Sequence, residues 1–219
     1  MSGGIPRDAL EFYAALEADN SKAFWDANRP RFEASVRGPV RAVLAELADL
    51  GEFHVFRPHN DLRFAKGKPP YKTHQGAYTE SEGGAGFYLQ VSSTGLMCGT
   101  GYYAMAKDQL GRFRAAVDAE HTGTEIAGIV DDIRRSGYSI GAIGELKTAP
   151  RGHPKDHPRI ELLRRKGLMA SKDFGAPAWI HTAKVVSRIR ETWDGAAAMN
   201  AWLDAHVGPS TLEPEGFFG

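Results

Sequence analysis

GFYLQVSSTGLMCG, residues 86–99, holds two short runs of aromatic and aliphatic residues, Gly86–Ser92 and Gly95–Gly99, with only Ser93-Thr94 between them. Runs of this kind suit a pleated, half-buried surface, and a two-residue connection suits a hairpin, so the pair predicts adjacent antiparallel strands. Working outward, residues 54–57 (HVFR) have the same character and predict a strand ahead of the hairpin. Behind it, Ser139-Ile140 or residues 145–148 supply a further strand.

Both flanks read as helix. Leu10, Phe12, Tyr13 and Leu16 recur at helical spacing, and Asp19-Asn20-Ser21 ends that pattern while offering an N-cap for a helix carrying Phe24 and Trp25. Pro30 and Gly38-Pro39 are expected to interrupt it. Val40, Val43, Leu44, Leu47 and Leu50 then form a stripe that stops at Gly51. Beyond the hairpin, residues 108–118, 124–136, 158–166, 182–193 and 196–206 return to helix. Strands grouped in the middle with helices at the N-terminal and C-terminal ends predict an α+β fold around a central, mainly antiparallel sheet. A chain of 219 residues fits one domain over 1–219, helical in 6–51, strand-rich in 53–104, and mixed to helical in 106–207.

A hydrophobic content of 42% and a charged content of 25% disfavour disordered and fibrous classes. The single Cys98 leaves no intramolecular disulfide, which fits a reducing compartment; with no secretory layout at the start and no run long enough to span a bilayer, a cytoplasmic, non-membrane protein is expected. The balance of 27 basic against 27 acidic residues hides an asymmetry. Positions 57–72 carry five basic residues to one acidic, and positions 147–172 carry eight to two, within a body that is otherwise acidic. That layout focuses positive potential locally instead of making the whole molecule a polyanion binder.

The first basic segment, RPHNDLRFAKGKPPYKTH, sets Lys68 and Lys72 around Pro69-Pro70. Two fixed φ angles hold the lysines on a stiff backbone, and Gly67 permits a sharp turn, as in a loop wrapped around an oxyanion. The plainer alternative is a surface loop with Asp61 paired to Arg63 and its lysines in water. In the second segment, residues 146–167 (LKTAPRGHPKDHPRIELLRRKG), Pro158 suits the first turn of a helix whose N-terminus carries Arg159. His153 and His157 have the spacing of a metal pair, but Pro154 and Pro158 argue against the helix this needs, so no metal is assigned. No P-loop, dinucleotide fingerprint, nucleophile elbow or His-Glu-x-x-His motif is present. Cys98 reads as a small buried hydrophobe.

The blocks FYAALEADNSKAFWDANRPRFE, NDLRFAKGKPPYKTHQGAY, GTGYY and LKTAPRGHPKDHPRIELLRRKGL together resemble DUF2461, a family of conserved hypothetical proteins carrying a domain of unknown function. The family pattern has an Arg-Asp pair ahead of its Leu/Val-Arg-Phe and a Ser after the Phe, where this chain has Asn60 and Ala65. Asn60 therefore lacks a charge that a salt bridge would need. The resemblance implies an α+β unit over nearly the whole chain and supplies no reaction.

The residues themselves point to a phosphate- or carboxylate-bearing ligand held between the two basic segments. Arg63, Lys66, Lys68, Tyr71 and Lys72 are the expected binding residues, with Arg151 and Arg159 from the second segment, and Asp61 and His157 are the candidates for proton transfer. No cofactor is called for. An acidic protein partner and a nucleic acid, stacked on residues such as Phe64 or Tyr71, are the alternatives.

Overall fold

A computed structural model of the chain describes residues 3–61, 67–79 and 85–212. The hairpin lies at the centre of its sheet: β3 (Gly86–Ser92) and β4 (Gly95–Tyr102) pair antiparallel, with Ser92 opposite Gly95. With β1 (Phe53–Val55), β2 (His74–Thr79), β5 (Ser139–Gly141) and β6 (Leu168–Gly175), the described residues form a six-stranded antiparallel sheet in the order β1-β2-β3-β4-β6-β5. The α+β expectation is met. Two strands, β2 and β6, were not among those expected.

The helices are α1 (Arg7–Ala18), α2 (Lys22–Phe32), α3 (Gly38–Ala45), α4 (Lys107–Asp118), α5 (Glu120–Arg135), the single turn α6 (Ile160–Leu163), α7 (Lys184–Asp194) and α8 (Ala197–His206). Ser21 caps α2, its hydroxyl accepting from the Phe24 N–H at 3.1 Å. The prolines do not break the N-terminal run as expected. Pro30 lies within α2, and a π-helical segment over Glu33–Arg37 carries the chain straight into α3. There the Gly38 N–H reaches the Glu33 carbonyl five residues back, a wider turn that accommodates Pro39, which has no N–H of its own. The helix expected over 158–166 shortens to α6, because Arg159 is not helical and Arg165 bridges to Glu145.

One face of the sheet carries the core. Ala77, Leu89, Val91, Leu96 and Cys98 pack with buried residues of α1, α2, α3 and α7, while Tyr102, Leu168 and Ala170 pack with those of α4, α5 and α8. Strand alternation sends His74, Gly76, Tyr78, Tyr88, Gln90 and Met97 to the opposite face, and none of them belongs to either cluster. Cys98 is fully buried, as expected of a small hydrophobe, and burial pushes its thiol up. Among the described residues, no helix is long and apolar enough to cross a membrane.

Candidate functional site

Past β1 the chain runs out through Phe56–Asn60 and returns through Pro69–Thr73 into β2. The two arms pair as a narrow strap. The Lys72 N–H donates to the Pro58 carbonyl at 2.7 Å, and the Asn60 N–H to the Pro70 carbonyl at 2.9 Å. The Asn60 side chain adds a bond to the Pro69 carbonyl at 2.9 Å. The Pro-Pro pair thus serves as acceptor only, so its missing N–H groups leave nothing unsatisfied. Tyr71 anchors the strap. Its ring stacks on Trp25 with centroids 4.5 Å apart, its N–H donates to the Asn20 amide oxygen at 2.9 Å, and its carbonyl accepts from the Asn20 Nδ2 at 3.1 Å.

Cations gather on this braced backbone. Arg57 and Lys68 are exposed, and Lys72 is half-buried with its Nζ donating to the His59 carbonyl at 2.6 Å. Partial burial, then the charges of Arg57 and Lys68, hold the Lys72 ammonium below the usual lysine range, while Asp61 acts in the opposite direction. His74 stands next in line. Burial, and secondarily the Lys72 charge, lower its proton affinity from the usual 6.5, so its imidazole is neutral near pH 7.

On the sheet face opposite the helix-packed core, Phe56 meets His74, Tyr78 and Tyr88 at centroid distances of 6.5, 5.7 and 6.2 Å, and His54 meets Tyr78 at 5.4 Å. Gly76 makes room for the Phe56 ring, since a Cβ there would lie 2.6 Å from it. The Tyr88 hydroxyl donates to the Gln90 Oε1 at 2.8 Å. Burial raises the Tyr88 phenol, which stays protonated.

The second basic segment is occupied differently. Arg159, 9% exposed, donates its Nε to the Val117 carbonyl at 2.7 Å and its Nη2 to the Asp118 carbonyl at 2.9 Å, closing the C-terminal end of α4, and it also pairs with Glu120 at 3.3 Å. His157 accepts the Arg159 backbone N–H on Nδ1 at 3.0 Å, and its Nε2 lies 3.1 Å from the Asp118 Oδ1, which is also 3.3 Å from the His153 Nδ1. Among the described residues, no group of His, Cys, Asp or Glu side chains is arranged to hold a metal ion.

Among the described residues, the two basic segments do not come together in the single cleft expected of them. The first joins β1 to β2 at one end of the sheet and is anchored on the α1–α2 cluster; the second is built against α4 and α5, toward the β6–β5 end. Lys68 and Lys72 share the strap with Asp61. Arg63 and Lys66, with Phe64 and Ala65, lie outside the described residues. Tyr71 is 5% exposed and belongs to the core. Arg151 is exposed in a turn before Gly152, and both ring nitrogens of His157 have neighbours. Sequence reasoning passed over Asn20, His74, Phe56 and Asp118, whereas Tyr88 was among the aromatic residues considered for stacking. For His74 and Phe56 a signal existed: each adjoins the basic stretch or the strand beside it.

A family model described as conserved hypothetical protein (DUF2461) matches residues 8–202, most of the chain. The protein belongs to the DUF2461 family. The match spans both ends of the sheet, so the strap and the Arg159 closure both lie within the family's extent. No curated protein and no solved structure matches this DUF2461 chain.

Proposed function

We propose that this DUF2461 protein binds a small phosphate- or carboxylate-bearing molecule at the Arg57–Lys68–Lys72 end of the strap. The observation that carries the reading is the gathering of those cations on a backbone already held by Asn60, Asn20 and Trp25. Like charges held together repel one another, and an anion relieves that repulsion with little ordering of the two paired arms left to pay for. His74, neutral beside Lys72, is the group placed to take up a proton when negative charge arrives.

A thermal-shift series tests this with phosphate, pyrophosphate and di- and tricarboxylates at low ionic strength, on the parent and on Lys68→Ala. Ligand at about 100 times its Kd adds roughly 2.7 kcal/mol of stability, a readily measured rise in Tm. The expected result is a rise that Lys68→Ala abolishes. Equal rises in both proteins, or none with any anion, overturn the proposal.

A further inference from the structure

Resting on that anion reading, we infer that the ligand's anionic group is carried on a planar ring, as in a nucleoside monophosphate, with the phosphate at Arg57, Lys68 and Lys72 and the ring against Phe56. The aromatic and cationic groups meet at one residue. His74 lies within the field of Lys72 and has its ring 6.5 Å from that of Phe56, so a molecule touching the cations need extend only past His74 to reach the aromatic face.

Phe56 is set for stacking. Its ring lies close against Gly76, where a Cβ would be 2.6 and 2.7 Å from ring carbons. Among the described residues the rings around it are inclined, Tyr78 by 52°, Tyr88 by 44° and His74 by 67°, so none of these three is stacked flat on it. An offset-stacked partner needs such a face and spacing. Gln90 adds a polar edge: its carbonyl oxygen is taken by the Tyr88 hydroxyl, which turns its amide N–H₂ toward other acceptors such as ring nitrogens or carbonyls. Both residues lie outside the two core clusters, so neither the aromatic set nor Gln90 is explained by packing beneath the helices.

Charge complementarity selects the ligand class. A neutral aromatic molecule would leave the cations unmet, and a bare anion would leave the rings unused. Single-stranded nucleic acid would satisfy both in principle, but its repeated phosphates would need a basic track across the sheet, where Met97 and Asp173 stand beside Gln90 on the successive neighbouring strands.

Titration calorimetry at low salt, comparing adenosine and uridine 5′-monophosphates with ribose 5-phosphate and inorganic phosphate, tests the assignment. The expected result is that a nucleoside monophosphate binds at least tenfold more tightly than ribose 5-phosphate, a factor within the range of base–aromatic stacking. Phe56→Leu should reduce that advantage to under threefold and leave ribose 5-phosphate unchanged, while Lys68→Ala weakens every phosphate compound. The parent protein alone decides the point if Phe56→Leu fails to fold. If ribose 5-phosphate and nucleotide bind equally with Lys68 required, the ring assignment fails and the anion reading stands. If the di- or tricarboxylates of the thermal-shift series bind but no phosphate compound does, the nucleotide class is wrong; if no anion binds in either experiment, both readings fall. An oligonucleotide binding far more tightly than any monophosphate would overturn the small-molecule assignment in favour of a nucleic-acid surface.

Discussion

Asn20 shows how much one side chain can hold. Its amide pairs with both the N–H and the carbonyl of Tyr71, acting like a strand neighbour for a strap 51 residues away. Asn20→Ala leaves those backbone groups without that partner beside a buried ring, and should cost about 1–3 kcal/mol in urea denaturation. His74 makes a second prediction. Its folded-state proton affinity lies below the usual 6.5, so on acidification through 6.5 the unfolded chain takes a proton that the folded chain refuses. Stability from this group is therefore present above pH 6.5 and declines as pH falls from there toward the lower folded value. Between pH 7.5 and 5.5 the denaturation midpoint should drop less in His74→Gln than in the parent; an identical drop would show that His74 contributes nothing. At this scale the sequence was half legible. Ser21 as a cap follows from its neighbours, because capping is local. Tyr71 after Pro-Pro reads equally as an exposed stacker or a core anchor, and only Trp25, supplied by another element, settles which.

Among the elements, the run from α2 to α3 is the instructive case. Gly38 sits in a helical segment where alanine would ordinarily gain about 1 kcal/mol, yet a Cβ there would lie 2.9 Å from the Glu33 carbonyl oxygen. Gly38→Ala should therefore destabilise, by about 1–3 kcal/mol, measured by chemical denaturation; a stabilised variant would mean the π turn readily relaxes to α. Prolines were expected to end helices here because local rules treat the missing N–H as a break, and the π turn is the accommodation those rules omit. The hairpin β3–β4 was legible because its turn and its two strands are contiguous. β2 (HQGAYT) and β6 (LMASKDFG) were not, since Gly, Ala and charged residues weaken strand propensity; β2 is held between β1 and β3, and β6 takes its pairing from β4, far back in the sequence. Gln75, buried in β2, illustrates this, its amide bonding the Phe56 and Gly76 carbonyls.

At the scale of the molecule, the two basic segments have parted company. Charge counts along a chain do not say which sheet edge each segment reaches, so the expected meeting of Lys68 and Arg159 could not be judged before the strand order was known. The separation has a measurable signature. Arg159→Ala uncovers the carbonyls that close α4 and should lower stability by about 1–3 kcal/mol, while the Tm increment from a phosphate ligand stays as in the parent, because distant sites without shared partners act additively. Loss of that increment in Arg159→Ala would mean that the two ends communicate.

The face-to-face stack of Trp25 on Tyr71 also makes the strap optically visible. An indole in contact with the chain segment that carries Lys68 and Lys72 senses small changes in that segment's position through the intensity and wavelength of its fluorescence. A variant in which the remaining tryptophans are replaced by phenylalanine would turn Trp25 into an intrinsic reporter, letting strap movements be followed in real time without attaching a dye.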